Sequence, residues 1–317
     1  IPVLTPSLES RRMREAARQV NLYLNRARSM AMEKKRPVGV WLERRQGFPQ
    51  AVTQLFIVEE RPRLSWASEP LPIPLMSIED LDPPQQDTKW VKVVPPALAA
   101  DIQPGDQIQL NFQGPIWEIA EIHGNQWTFR QTGYGPPTPP NIPPPGVPFQ
   151  VRRSIRTASW QEYLIRSAAS PLELPIGIAI DATWSGVGDS DDATAFAPAN
   201  SADSFPVLIM FSPNGDVDSV WYRSKQSSGR AWQPKKVTES IYLLIGKLNR
   251  IPLTLGGPSP AEDGLYNWQD LANSWVVVSP LGGMVKTVEV AGLDPNSSDP
   301  PLKQSRRFAQ GQSMGGK

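Results

Sequence analysis

The sequence predicts an α+β fold: a long N-terminal amphipathic helix packed on an antiparallel β-sandwich, with a small β-rich insertion. Three observations carry that expectation. Met13, Ala17, Val20, Leu24, Ala27 and Ala31 recur at alternating spacings of four and three, which is one stripe on a helical surface. Beyond Pro37 this period gives way to short runs of period two, punctuated by glycine and proline. The composition agrees: 35 prolines among 317 residues roughly double the usual share of about 5%, beside 11 tryptophans and 39% hydrophobic residues. Proline fixes φ and removes a backbone donor, so such a chain builds short elements and stiff loops around its apolar core.

The helix is expected from Leu8 to about Lys35. Thr5 or Ser7 serves as its cap, Glu9 stands near the positive end of its dipole, and Lys34, Lys35 and Arg36 suit the negative end. Arg11, Arg12, Arg14, Arg18, Arg26 and Arg28 lie between the apolar positions and form a polar face. This divides the chain into a helix at 1–36, a β domain at 37–292 and a basic tail at 293–317. The tail is expected to be disordered, because it holds few large apolar residues.

Within the β domain, Val38 to Leu42 alternates, and Gln54 to Glu59, Val207 to Phe211, Val217 to Arg223, Ser240 to Ile245, Trp275 to Ser279 and Val285 to Val290 read as strands. Pro213-Asn214-Gly215-Asp216 and Pro280-Leu281-Gly282-Gly283 read as hairpin turns in which glycine supplies a positive φ. Four short strand candidates and their turns set residues 88–153 apart as a small β-barrel insertion. A proline-rich arm follows at 133–148, and a short helix is expected from Ser159 to Ala168.

Charge and side-chain chemistry narrow the function. The net charge of +1 excludes a polyelectrolyte, so a nucleic-acid role must rest on local patches. Arg152, Arg153 and Arg156 beside Trp160 form one such patch, and Lys303, Arg306, Arg307 and Lys317 make the tail basic. A solvated face and a basic tail account for these residues, so nucleic acid is not the expected partner. With no cysteine and His123 as the single histidine, thiol nucleophiles, disulfides and multi-histidine metal sites fall away. Asp181, Asp189, Asp191 and Asp192, with Gly186 and Gly188, form an acidic loop dense enough to consider for Ca²⁺, although its spacing is not that of an EF-hand. No catalytic residues and no other cofactor are expected, and the chain does not read as an enzyme.

The order of several short motifs resembles the GspH/FimT-like pseudopilins. Ile1-Pro2-Val3-Leu4, Arg14-Glu15-Ala16-Ala17 and Ala27-Arg28-Ser29-Met30-Ala31 resemble that family's helix, and Pro37-Val38-Gly39-Val40-Trp41-Leu42 its following strand. Leu174-Pro175-Ile176-Gly177, Ile180-Asp181 and Ser185-Gly186 resemble its mid-domain strand, and Phe211-Ser212-Pro213-Asn214-Gly215 its hairpin. The resemblance implies a minor, prepilin-type subunit of a type II secretion or type IV pilus-like filament. Its partners would be other pilin-like subunits, and an apolar helix ahead of Ile1 would anchor it in the inner membrane. The soluble part would face the periplasm or stand in an extracellular filament. The residues also leave open an extracytoplasmic binding module that holds DNA, a glycan or a partner protein through the insertion, the proline-rich arm or the basic cluster.

Overall fold

The structure is a computed structural model and describes residues 5–60, 64–66, 88–92, 102–110, 116–123, 126–131, 149–152, 164–189, 194–223, 232–254, 257–294 and 296–313. The chain divides into two compact units, Ile1–Glu60 with Arg166–Lys317, and Arg61–Ile165.

The first unit opens with helix α1 (Thr5–Lys34), followed by β1 (Val38–Arg45) and β2 (Phe48–Glu60). The second unit holds β3 (Leu64–Trp66), β4 (Thr88–Lys92), β5 (Gln107–Leu110), β6 (Ile116–His123), β7 (Gln126–Gln131) and β8 (Phe149–Arg152). Next come β9 (Leu164–Arg166), β10 (Leu172–Glu173), β11 (Ile178–Val187), β12 (Val207–Phe211), β13 (Val217–Arg223) and β14 (Trp232–Lys235). The chain finishes through β15 (Ile241–Lys247), β16 (Ser274–Val278), β17 (Val285–Glu289) and helix α2 (Pro301–Ser313).

This architecture overturns the expected α+β sandwich. The protein is mostly β, and the strands of the first unit belong to one 11-stranded antiparallel sheet, ordered β14-β13-β12-β1-β2-β11-β15-β16-β17 with β9 and β10 also on β2. The reason lies in β2, which is 13 residues long. One edge of β2 pairs with β1 over most of its length, while its other edge takes β11 at Val52 and β10 at Leu55. Hydrogen bonding therefore runs unbroken through strands that would have to separate to make two layers.

The sheet curls so that its remote hairpins meet. Val217 N–H donates to Pro280 O (3.0 Å), and Gly282 N–H donates to the Asp216 carboxylate (2.7 Å). Alternate residues of β1, β2, β11, β12, β13, β15 and β16 point to one face and form a single apolar cluster with α1. The edge strand β14 carries Pro234, which blunts it against pairing with another chain.

The C-terminal tail, expected to be disordered, is helical over Pro301–Ser313. Its helix α2 covers the opposite face of β16 and β17, where Tyr242, Leu244, Trp275, Val277 and Ala309 make a second cluster. Arg306 docks the helix: it is fully buried and donates to Gly188 O (2.5 Å) and Trp184 O (2.8 Å). Its guanidinium also lies over the rings of Tyr242 (4.9 Å) and Trp275 (5.4 Å). Burial pulls its pKa down to about 9, so it stays protonated at neutral pH. Arg306→Ala removes both donors and is expected to destabilise the protein by about 3 kcal/mol. Amide exchange across residues 301–313 should then speed up, whereas unchanged protection would mean that other contacts hold α2.

The second unit forms a six-stranded antiparallel sheet, ordered β3-β8-β5-β6-β7-β4. Ile108, Trp117, Ile119, Phe149 and Val151 are buried in it. The expected insertion at 88–153 is thus part of a longer unit, and among the described residues its strand path is open rather than a closed barrel. The helix expected at Ser159 to Ala168 is also corrected, since Leu164–Arg166 is a strand; residues 159–163 lie outside the described residues, as do 132–148 with the whole proline-rich arm.

Candidate functional site

Two surfaces of α1 have opposite character. Met13, Ala17, Val20, Leu24, Ala27 and Ala31 are all buried, and so are Ala16 and Tyr23. The small side chains let the helix backbone lie close to the sheet. Tyr23 adds a polar anchor that the apolar stripe could not reveal: its hydroxyl donates to Ser170 O (3.1 Å) and accepts from Ile57 N–H (3.2 Å). Burial raises its pKa.

Both ends of α1 are pinned. Lys247 reaches Glu9 at 3.3 Å near the start. Near the end, Lys34 (2.6 Å) and Arg36 both bind the buried carboxylate of Glu59. Burial alone would raise the pKa of Glu59, but the hydrogen bond from Lys34 and the two nearby cations outweigh it and hold the group below the usual carboxylate range. Arg28 departs from the expected arginine face, since its Nε donates to Gly215 O (3.0 Å) and braces the β12–β13 turn.

The opposite face stays open over the length of the helix. Arg11, Glu15, Arg18, Leu22, Arg26, Ser29 and Glu33 are exposed at successive spacings of four and three, with Arg12 and Arg14 beside them. Leu22, at mid-helix, is 57% exposed. Apart from the central leucine, the stripe is polar and of mixed charge, the pattern of the outer face of an amphipathic helix.

Of the four acidic residues proposed for Ca²⁺, the two that the structure describes are each engaged within the chain. Asp181 is fully buried, and its carboxylate accepts from Asn267 Nδ2 (2.8 Å) and Thr183 N–H (3.0 Å). Asp189 instead faces α2 and pairs with Arg307 (3.1 Å). Asp191 and Asp192 lie outside the described residues, among which no three metal-ligating side chains come together. The sequence hid the interior place of Asp181 because it stands at a strand irregularity: between Asp181 and Gly186 the register of β11 on β15 slips. There Ser185 Oγ takes over the ladder, accepting from Leu244 N–H (3.0 Å) and donating to Asp181 O (2.6 Å). Asn267 in turn accepts from Lys247 N–H (2.9 Å) and from Asn273 Nδ2 (3.0 Å). The burial of Asp181 raises its pKa to about 7, against the pull of these hydrogen bonds.

Of the proposed nucleic-acid residues, Arg152 sits at the end of β8, while Arg153, Arg156 and Trp160 lie outside the described residues. In the tail, Arg306 is interior, and Arg307 and Lys303 are engaged by Asp299 and Asp189. His123 ends β6. A second arginine that sequence reading missed is Arg44, at a bulge where β1 slips on β2. It is buried and donates to Phe205 O (2.6 Å), Pro49 O (2.8 Å) and Phe196 O (2.9 Å), tying the start of β2 to the segments around Phe196 and Phe205. No helix among the described residues is long and apolar enough to cross a membrane. No family model, curated protein or solved structure matches the chain.

Proposed function

We propose that the chain is a structural, non-enzymatic subunit of a pilin-like assembly: a minor pseudopilin of a type II secretion or type IV pilus-like system. It acts through contacts with other pilin-like subunits, on the periplasmic side of the inner membrane or in an extracellular filament. An apolar helix continuing α1 toward its N-terminus would hold it in the inner membrane before assembly. The reading grows from the motif order along α1 and β1, and one observation supports it above others. A 30-residue helix has one face sealed into a core and the other exposed along its length. Such a helix can share its outer face with neighbours without disturbing its own fold.

The chain has no cysteine, so a single introduced thiol reports without background. In cells making the full-length protein, Leu22→Cys is expected to cross-link through a bis-maleimide to neighbouring pilin-like subunits, identified by mass spectrometry. Recovery of the uncross-linked chain alone, under conditions where the secretion or pilus system is assembled, would count against the proposal.

A further inference from the structure

We infer that the end of the first unit where α1 begins rests on an anionic lipid surface, with Ile176 and Leu253 entering the headgroup region and Arg11, Arg12 and Arg45 meeting lipid phosphates. The inference rests on the reading above, in which an apolar helix continues α1 into the inner membrane, and names what the folded part does at that surface.

Three connections of the sheet come together beside the start of α1. The β10–β11 turn is joined to the exit of β15, since Leu248 N–H donates to Gly177 O (2.9 Å). Lys247, at that exit, reaches Glu9 near the start of the helix (3.3 Å). Gln50, close to the β1–β2 turn, donates through its side chain to Leu253 O on the β15–β16 connection. Residues on these connections therefore share one end of the sheet.

Exposed aliphatic side chains gather here. Ile176 is 97% exposed, on a turn where Gly177 takes φ 84°, and Leu253 is 71% exposed. Leu265 and Leu271, 39% and 59% exposed, lie on the same β15–β16 connection as Leu253. Neither Ile176 nor Leu253 belongs to the apolar clusters that hold the fold. Between Ile176 and α1 runs a groove of about 420 Å³, with Met13, Ile178 and Leu248 in its lining and Arg12 at its side. This recess offers an acyl chain an apolar wall and a headgroup a cation.

Charge selects an anionic surface as the occupant. Most carboxylates at this end are taken up within the chain: Glu9 by Lys247, Asp263 by Arg250 (2.6 Å), and Asp270 by Arg250 (3.3 Å) and Lys247 (3.6 Å). Arg11, Arg12 and Arg45 are exposed and outnumber Glu262, which is exposed as well. A bilayer interface meets both characters at once. Aliphatic side chains enter among the headgroups, and the phosphates accept from the guanidinium groups around them. The position agrees, because the start of α1 is where the proposed membrane helix would join.

No helix among the described residues is apolar enough to cross a bilayer, so vesicle binding by the 317-residue chain tests its folded surface. The chain is expected to float with vesicles of phosphatidylethanolamine and phosphatidylglycerol at least about tenfold more tightly than with phosphatidylcholine vesicles, and less so as salt rises. Replacing Arg11 and Arg12 by Gln should weaken binding roughly fivefold for each arginine. Ile176→Ser with Leu253→Ser should weaken it by about tenfold or more. Leu281→Ser, on the exposed β16–β17 turn beside Arg28 near the other end of α1, should leave it unchanged. Equal unfolding midpoints show that the variants keep the fold. Binding that ignores lipid charge, or that Leu281→Ser weakens as much as the Ile176 and Leu253 changes, would overturn the inference. If residue 22 cross-links form in cells but the chain does not float with anionic vesicles, the assembly reading stands and this surface falls. Vesicle binding without those cross-links keeps this surface and removes the assembly reading.

Discussion

Leu24→Ala is expected to destabilise the protein by about 3 kcal/mol, whereas Leu22→Ala, two positions away on the same helix, should change stability by less than about 0.5 kcal/mol. Leu24 is fully buried between α1 and the sheet, and Leu22 is 57% exposed. Deleting Leu24 loses the transfer free energy of three carbons and leaves a cavity that the pinned ends of α1 cannot close. Lys247 with Glu9, and Lys34 and Arg36 with Glu59, hold the helix in place at either end of the gap. Chemical denaturation of the two variants measures the difference. Similar losses from both would mean that α1 is not seated on the sheet through this face.

Stability should also fall as pH rises from about 4 to about 7, by up to roughly 4 kcal/mol from one group. Asp181 titrates near its ordinary value of 3.8 in the unfolded chain and at about 7 when folded. Between those values the folded state binds the additional proton, so its contribution is fully present below pH 3.8 and is lost as pH climbs through 7. The groups facing the carboxyl are the Asn267 amide and the backbone amides of Thr183 and Trp184, which favour the charged form but do not offset its burial. Glu59 works in the opposite sense: its lowered pKa contributes stability above its unfolded value that is lost on acidification. The informative quantity is therefore the difference between the wild type and Asp181→Asn in denaturation midpoints from about pH 4 to about pH 8. The variant should lose the downward slope, and parallel curves would show that Asp181 does not carry it.

Local structure was legible in the sequence where neighbouring residues set it. The four-and-three spacing from Met13 to Ala31 located the buried face of α1, because a helix folds that period into one stripe without outside help. The β12–β13 and β16–β17 turns lie where glycine follows proline, and Gly215, Gly282 and Gly283 all take positive φ. Partnership was not legible. Alternation announces a strand but not its neighbour, so the strands were read as two layers, whereas β2 joins them into one sheet. Polar residues with interior roles also escaped. Arg306 looked like one more charge in a basic tail, yet it meets two carbonyls and two aromatic rings supplied by segments far back along the chain. Asp181 looked like a member of an acidic loop, yet Asn267, 86 positions further on, makes it interior. The open stripe of α1 was legible as polarity, but not that Arg28 leaves it to brace Gly215.

The claim on which the functional account stands is that the exposed face of α1 is covered by neighbouring subunits. The most direct measurement is the rate at which a maleimide labels Leu22→Cys in the isolated chain and in the intact assembly from cells. Labelling should be fast in the isolated chain, where residue 22 is open, and should slow by roughly tenfold or more on assembly. Equal rates in the two states would show that α1 faces solvent in both, which contradicts the account.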